Sequence, residues 1–76
     1  MMQSQKISER EQEVLKMIAD EYSMQSIASK LYISHHTVIS HRKNLKKKLS
    51  AKNSAGLIRR AFELGILSIT SSANVA

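Results

Sequence analysis

Five cations stand within one short stretch, at Arg42, Lys43, Lys46, Lys47 and Lys48, with no acid among them. Positive charge at this density holds anions, and the nucleic-acid backbone is the largest anion a cell offers. Three histidines, His35, His36 and His41, lie just before or among these cations. Imidazoles invite a metal reading, but their spacings are one and five. Neither spacing gives the i, i+4 pair that puts two rings on one helix face, and no Cys, Asp or Glu lies near them in sequence. No metal site is expected. His41 reads as a packing or capping residue. Serines are plentiful, yet the central region has no carboxylate to orient a histidine, and no Gly-rich phosphate loop exists. No catalytic residue, cofactor or small-molecule ligand is expected, and the chain reads as a non-enzyme.

An amphipathic helix positions these cations. Stepping about 100° per residue through Ser34 to Leu49 brings Val38, Leu45 and Leu49 onto one side. His36, Ser40, Lys43 and Lys47 collect opposite, with Ile39 and Lys46 on the flank. Such a helix buries Val38, Leu45 and Leu49 and presents the rest to a polyanion. A duplex major groove is wide enough to admit it. Ile39 is an apolar residue on a basic face, and the methyl group of thymine is one apolar target in that groove. Lys48 and Lys52 are phosphate contacts or merely solvated, and the spacing does not separate the two.

Three further helices are expected around it. Ser8 and Glu11 form a capping-box pattern before a helix from Glu9 to Ala19, whose stripe is Val14, Leu15 and Ile18. Residues 20–23 break the chain. Ser23 caps a short helix from Met24 to about Leu31, with Ile27, Ala28 and Leu31 inward. Tyr32, Ile33 and Ser34 make a tight connection, with Ser34 as the next cap. A short helix, a three-residue turn and a longer basic helix form a helix-turn-helix pattern. Asn53 or Ser54 caps a fourth helix from about Ala55 to Leu64, and Gly65 stands where a left-handed residue ends it. Leu57, Ala61 and Leu64 make one stripe of this helix. Ala55, Ile58 and Phe62 make a second, which either closes the core from the side or forms a twofold dimer contact. Ile66, Leu67 and Ile69 fold back on the core.

The totals fit this arrangement. The chain has 76 residues and a formal net charge of +6, and from Tyr22 to Phe62 there is not one acid. There is no cysteine, hence no disulfide framework, which fits a reducing, cytoplasmic setting. The apolar runs are too short to cross a membrane. Every periodic segment repeats near 3.6 residues, so the expected class is all-α, a compact four-helix bundle containing a helix-turn-helix. A flexible N-terminus is expected over 1–6, the domain over 7–67 and a flexible tail over 68–76.

Three segments resemble the LuxR/GerE-type helix-turn-helix, the output domain of many bacterial response regulators and quorum sensors. They are Ile7-Ser-Glu-Arg-Glu-Gln-Glu-Val-Leu, Ser26-Ile-Ala-Ser-Lys-Leu-Tyr-Ile-Ser and Thr37-Val-Ile-Ser-His-Arg-Lys-Asn-Leu-Lys-Lys-Lys-Leu. The resemblance implies that the third helix lies in the major groove and the fourth forms the dimer contact. It implies transcription regulation at inverted or direct half-sites. By position, Ile39, Ser40 and Lys43 match the base-facing sites, as the helical wheel also suggests. Ser34, Thr37, Asn44 and Lys47 match backbone contacts, and the wheel adds His36 and Lys46. Ile58 and Phe62 fall on the dimerisation face, beside Ala55. Partners expected are double-stranded DNA, a second copy of the chain on DNA, and RNA polymerase, with no membrane. The family often has Gly where Glu21 stands, an acid or amide where Ser26 stands, and a basic residue where Ile39 stands. Either the chain works alone or it is the output half of a longer regulator. Two rival readings remain. One is a protein-interaction module using the apolar face of the fourth helix, with only non-specific nucleic-acid affinity. The other is a binder of structured RNA or membrane surfaces.

Overall fold

Each helix of the domain starts and stops on local chemistry. The computed structural model describes residues 6–68. Its elements in order are α1 (Glu9–Ala19), α2 (Met24–Leu31), α3 (His35–Lys48) and α4 (Ser54–Glu63). Ser8, Ser23, Ser34 and Asn53 each accept a hydrogen bond from the amide three residues on, which satisfies one donor the helix leaves unpaired. The Ser8–Glu11 capping box is reciprocal, at 3.1 Å and 3.0 Å. Asn53, rather than Ser54, caps α4. That helix begins one residue earlier and ends one residue earlier than its periodicity suggests.

All four helices also end in the same way. Backbone φ turns positive at Glu21 (68°), Tyr32 (58°), Ser50 (57°) and Gly65 (77°). The next amide then reaches back five residues: Tyr22 to Met17, Ile33 to Ala28, Ala51 to Lys46 and Ile66 to Ala61. This is the Schellman arrangement, which satisfies carbonyls that the helix end leaves open. Three of these sites lack glycine, at a cost of roughly 1–2 kcal/mol each. After Tyr32 and Ser50 an apolar residue that packs against the core, Ile33 or Ala51, offsets that cost; Ile66 packs in the same way after Gly65, whereas Tyr22 after Glu21 stays exposed. The α1–α2 turn adopts its left-handed geometry at Glu21 without glycine.

The core gathers the inward stripe of every helix. Val14 and Leu15 of α1 meet Ile27 and Ala28 of α2, Val38 and Leu45 of α3, and Leu57 and Ala61 of α4, with Leu49 closing the end of α3. α1 and α3 each pack against all three other helices, while α2 and α4 do not pack on each other among the described residues. The basic helix is thus one of two elements that hold the domain together. One expectation needs correction. Leu64 is 51% exposed and does not continue the Leu57–Ala61 stripe. It lies at the end of α4, as its C-cap residue, and Ile66 and Leu67 pack against the core in its place. Ile18 and Leu31 pack against the core as expected, half-buried at its margin. Ile69 and most of both expected flexible ends fall outside the described residues.

Candidate nucleic-acid interface

The outer face of α3 is built by exclusion. With Val38, Leu45 and Leu49 buried, the helical repeat leaves His36, Ile39, Ser40, Lys43, Asn44 and Lys47 exposed, and Lys46 half-buried beside them. Lys43, Lys46 and Lys47 have no ion pair or side-chain hydrogen bond among the described residues. Their charge is available to an anion. At the start of the helix, Ser34 Oγ accepts from the Thr37 amide at 3.0 Å and lies 2.8 Å from Thr37 Oγ1. Whichever hydroxyl donates in that pair, the other keeps its own proton for an outside acceptor. Ser34 and Thr37 together thus offer one hydroxyl donor beside the free amides of the helix N-terminus.

Not every cation of α3 belongs to this face, contrary to the expectation that all but the buried stripe point outward. Arg42 turns toward α4, and its Nη1 lies 3.5 Å from Ser54 Oγ. Its Nε is buried without a partner among the described residues. Lys48 turns toward α1. Its Nζ donates to Glu11 Oε1 at 2.7 Å and to the Lys6 carbonyl at 3.0 Å. Glu11 is only 6% exposed. Burial pushes its carboxyl up, but the Lys48 hydrogen bond, the Ser8 amide and the Lys48 charge together hold it below its ordinary value. Lys48 is therefore a structural cation that ties the start of α1 to the end of α3. Arg60 does similar work from α4. Its Nε donates to the Leu49 carbonyl at 3.0 Å, and its Nη1 pairs with Glu63 at 3.0 Å. A cation at this carbonyl also complements the negative end of the α3 dipole.

The second stripe of α4 is partly open. Ala55 is exposed, Ile58 is half-buried and Phe62 is 39% exposed. Ile58 and Phe62 join Ile66 and Leu67 as the floor of a groove between α1 and α4, with Glu9, Glu13 and Asp20 on its rim. Ile58 packs against the core while Phe62 faces out, so Phe62 does not close the core from the side. Tyr32, 94% exposed in the turn between α2 and α3, was not singled out from the sequence. Among the described residues, no three His, Cys, Asp or Glu side chains cluster to hold a metal. No helix among them is long and apolar enough to cross a membrane.

A family model described as bacterial regulatory proteins, luxR family, matches residues 5–61. The chain is 45% identical over 65 residues to the transcriptional regulatory protein MctR of Rhizobium johnstonii, a match that covers 86% of this chain and 30% of that protein. Among solved structures, it superposes on the response regulator ChrA of a heme-sensing two-component system with a TM-score of 0.82 and 30% identity. That match covers 87% of this chain and 33% of the other. The transcription factor GerE gives a TM-score of 0.78 at 31% identity, covering 88% of this chain and 98% of GerE. The chain thus spans about the whole of one short relative and about a third of the longer ones. By the family match and by the fold it shares with GerE, this chain belongs to the luxR family of bacterial regulatory proteins, a family of DNA-binding transcription regulators.

Proposed function

We propose that this chain binds duplex DNA in a sequence-specific manner, with α3 in the major groove, and regulates transcription as a dimer on its operator. One observation carries the reading. The outer face of α3 brings three cations without partners among the described residues, Lys43, Lys46 and Lys47, beside the exposed side chains of Ile39 and Ser40. In a helix-turn-helix, the first turns of the second helix read base edges while flanking groups hold phosphates. On that geometry Ile39, Ser40 and Lys43 face bases. Ser34, His36, Thr37, Asn44, Lys46 and Lys47 face the backbone. Capture is electrostatic and readout follows. The apolar face of α4, through Ala55, Ile58 and Phe62, supplies a self-complementary contact between two copies. RNA polymerase is the partner that a bound regulator would have to influence.

Selection from a random duplex library at near-physiological salt tests this reading. The expected result is an enriched site with paired half-sites about one helical turn apart. Retention of DNA without an enriched motif would mean phosphate capture without base readout. No retention would overturn the reading and turn attention to Ile58 and Phe62 as a surface for another protein. An A-form RNA duplex hides its base edges in a deep, narrow groove, so a strong preference for RNA would also count against α3 as a reader.

A further inference from the structure

Ile39 is the exposed large apolar side chain of α3, at 37% exposure. Exposed Ser40 follows it directly, and exposed Lys43 stands one turn further along the same face. The other residue one turn along, Arg42, has its guanidinium committed toward Ser54 on α4. Lys43 is therefore the cation beside Ile39 on the outer face. A β-branched side chain in a helix keeps about nine-tenths of its population in one χ1 well. Ile39 thus presents a pre-set hydrocarbon surface with little rotamer freedom to lose on binding.

That surface has no donor and no acceptor. Along the major-groove edge of a base pair, the apolar feature is the methyl group on C5 of a pyrimidine. Thymine carries it, and 5-methylcytosine carries the same group at the same ring position. The two differ at position 4, where thymine has an accepting oxygen and cytosine a donating amino group. An aliphatic side chain senses neither. We infer that Ile39 reads the C5-methyl group of one half-site pyrimidine, thymine or 5-methylcytosine alike, so that affinity responds to cytosine methylation at that position. The inference rests on α3 lying in the major groove. Lys43, with three donors and no acceptor, favours the O6 and N7 acceptors of a guanine nearby. A basic residue at position 39 would favour guanine and gain nothing from a methyl group.

The test uses the whole chain and its selected duplex. Each thymine of one half-site is replaced in turn by deoxyuridine, which removes only the methyl group. At the position that responds, cytosine is compared with 5-methylcytosine opposite guanine. Every affinity is measured with the unaltered chain and with Ile39→Ala, whose urea unfolding midpoint serves as the folding control. At one position the methyl group should strengthen binding about three- to fivefold, in both pyrimidine backgrounds. Both factors should fall to about one in Ile39→Ala. A methyl effect that persists in Ile39→Ala, or no methyl effect at any position of a selected site, overturns the assignment to Ile39 and leaves groove reading intact. Failure to select any site overturns groove reading and this inference together.

Discussion

The two edges of α3 carry the same charge and do different work. On the outer edge, Lys43, Lys46 and Lys47 have no partner within the described fold. On the inner edges, Arg42 reaches Ser54, Lys48 reaches Glu11 and Lys6, and Arg60 crosses from α4 to the α3 C-terminus. Partners, rather than residue type, separate the two sets. A lysine whose ammonium is held by a buried carboxylate would have to give up that bond to contact a phosphate. A lysine in water gives up only counterions and solvent. The basic run of α3 is thus partly a free outer face, the one we propose binds DNA, and partly a set of ties that hold that face in place.

Substitution of Lys48 should break the comparison most severely. Lys48→Met keeps the hydrocarbon stem and leaves the Glu11 carboxylate buried without its cation. Removing one partner of a fully buried pair costs roughly 3–5 kcal/mol. Lys48 is 26% exposed, so a loss of about 2–3 kcal/mol is expected in urea unfolding. The dependence of DNA affinity on salt should stay as it was. If that slope falls by as much as it does for an outer lysine, Lys48 belongs to the binding face. The pH dependence gives the same test. The Glu11 carboxyl is depressed in the folded chain, so its contribution is complete above the unfolded value, near 4.5, and is lost as pH falls through the lower folded value. Lys48→Met and the unaltered chain should therefore converge in stability on acidification, and the gap should be widest near neutral pH.

The outer lysines sharpen the contrast. Lys43→Ala should cost about 1–3 kcal/mol at one base position and relax selectivity there, measured as the ratio of affinities for the selected site and its single-base variants. Lys47→Ala should weaken all duplexes alike and lower the slope of log affinity against log salt by about one. Both should leave urea midpoints close to the original. If the two variants behave identically, the division of α3 into base-facing and backbone-facing groups is wrong.

Arg60→Met is the mildest case. It removes the hydrogen bond to the Leu49 carbonyl and should cost about 1 kcal/mol in thermal or urea unfolding, with no change in salt slope. A larger effect on DNA affinity than on stability would place Arg60 with the outer set.

Much of the fold was legible because it is written locally. Ser8, Ser23 and Ser34 act on amides three residues away, and the apolar stripes of α1 to α4 repeat each turn, so a short window holds all the information. The same holds for Gly65, whose lack of a Cβ advertises a positive φ. Glu21, Tyr32 and Ser50 adopt that conformation without advertising it. The signal that remained was the apolar residue just after Tyr32 and Ser50, at Ile33 and Ala51. Leu64 was misplaced for a related reason: periodicity does not say where a helix stops being covered. The stripe of Ala55, Ile58 and Phe62 was left open between core and contact surface, and the structure divides it, with Ile58 toward the core and Phe62 toward solvent.

The sequence by itself determined that four helices form, where three of their caps lie, and that α3 carries one apolar and one basic side. These follow from interactions between residues three to five apart along the chain. The tertiary structure alone decided which cations of α3 are available. Lys48 finds Glu11 from 37 residues away, Arg42 finds Ser54 from 12 and Arg60 finds Leu49 from 11. Such meetings depend on how α1 and α4 pack against α3. A long flexible side chain at the border of a buried stripe turns toward whichever group that packing brings within reach, so neither its type nor its spacing could have assigned it.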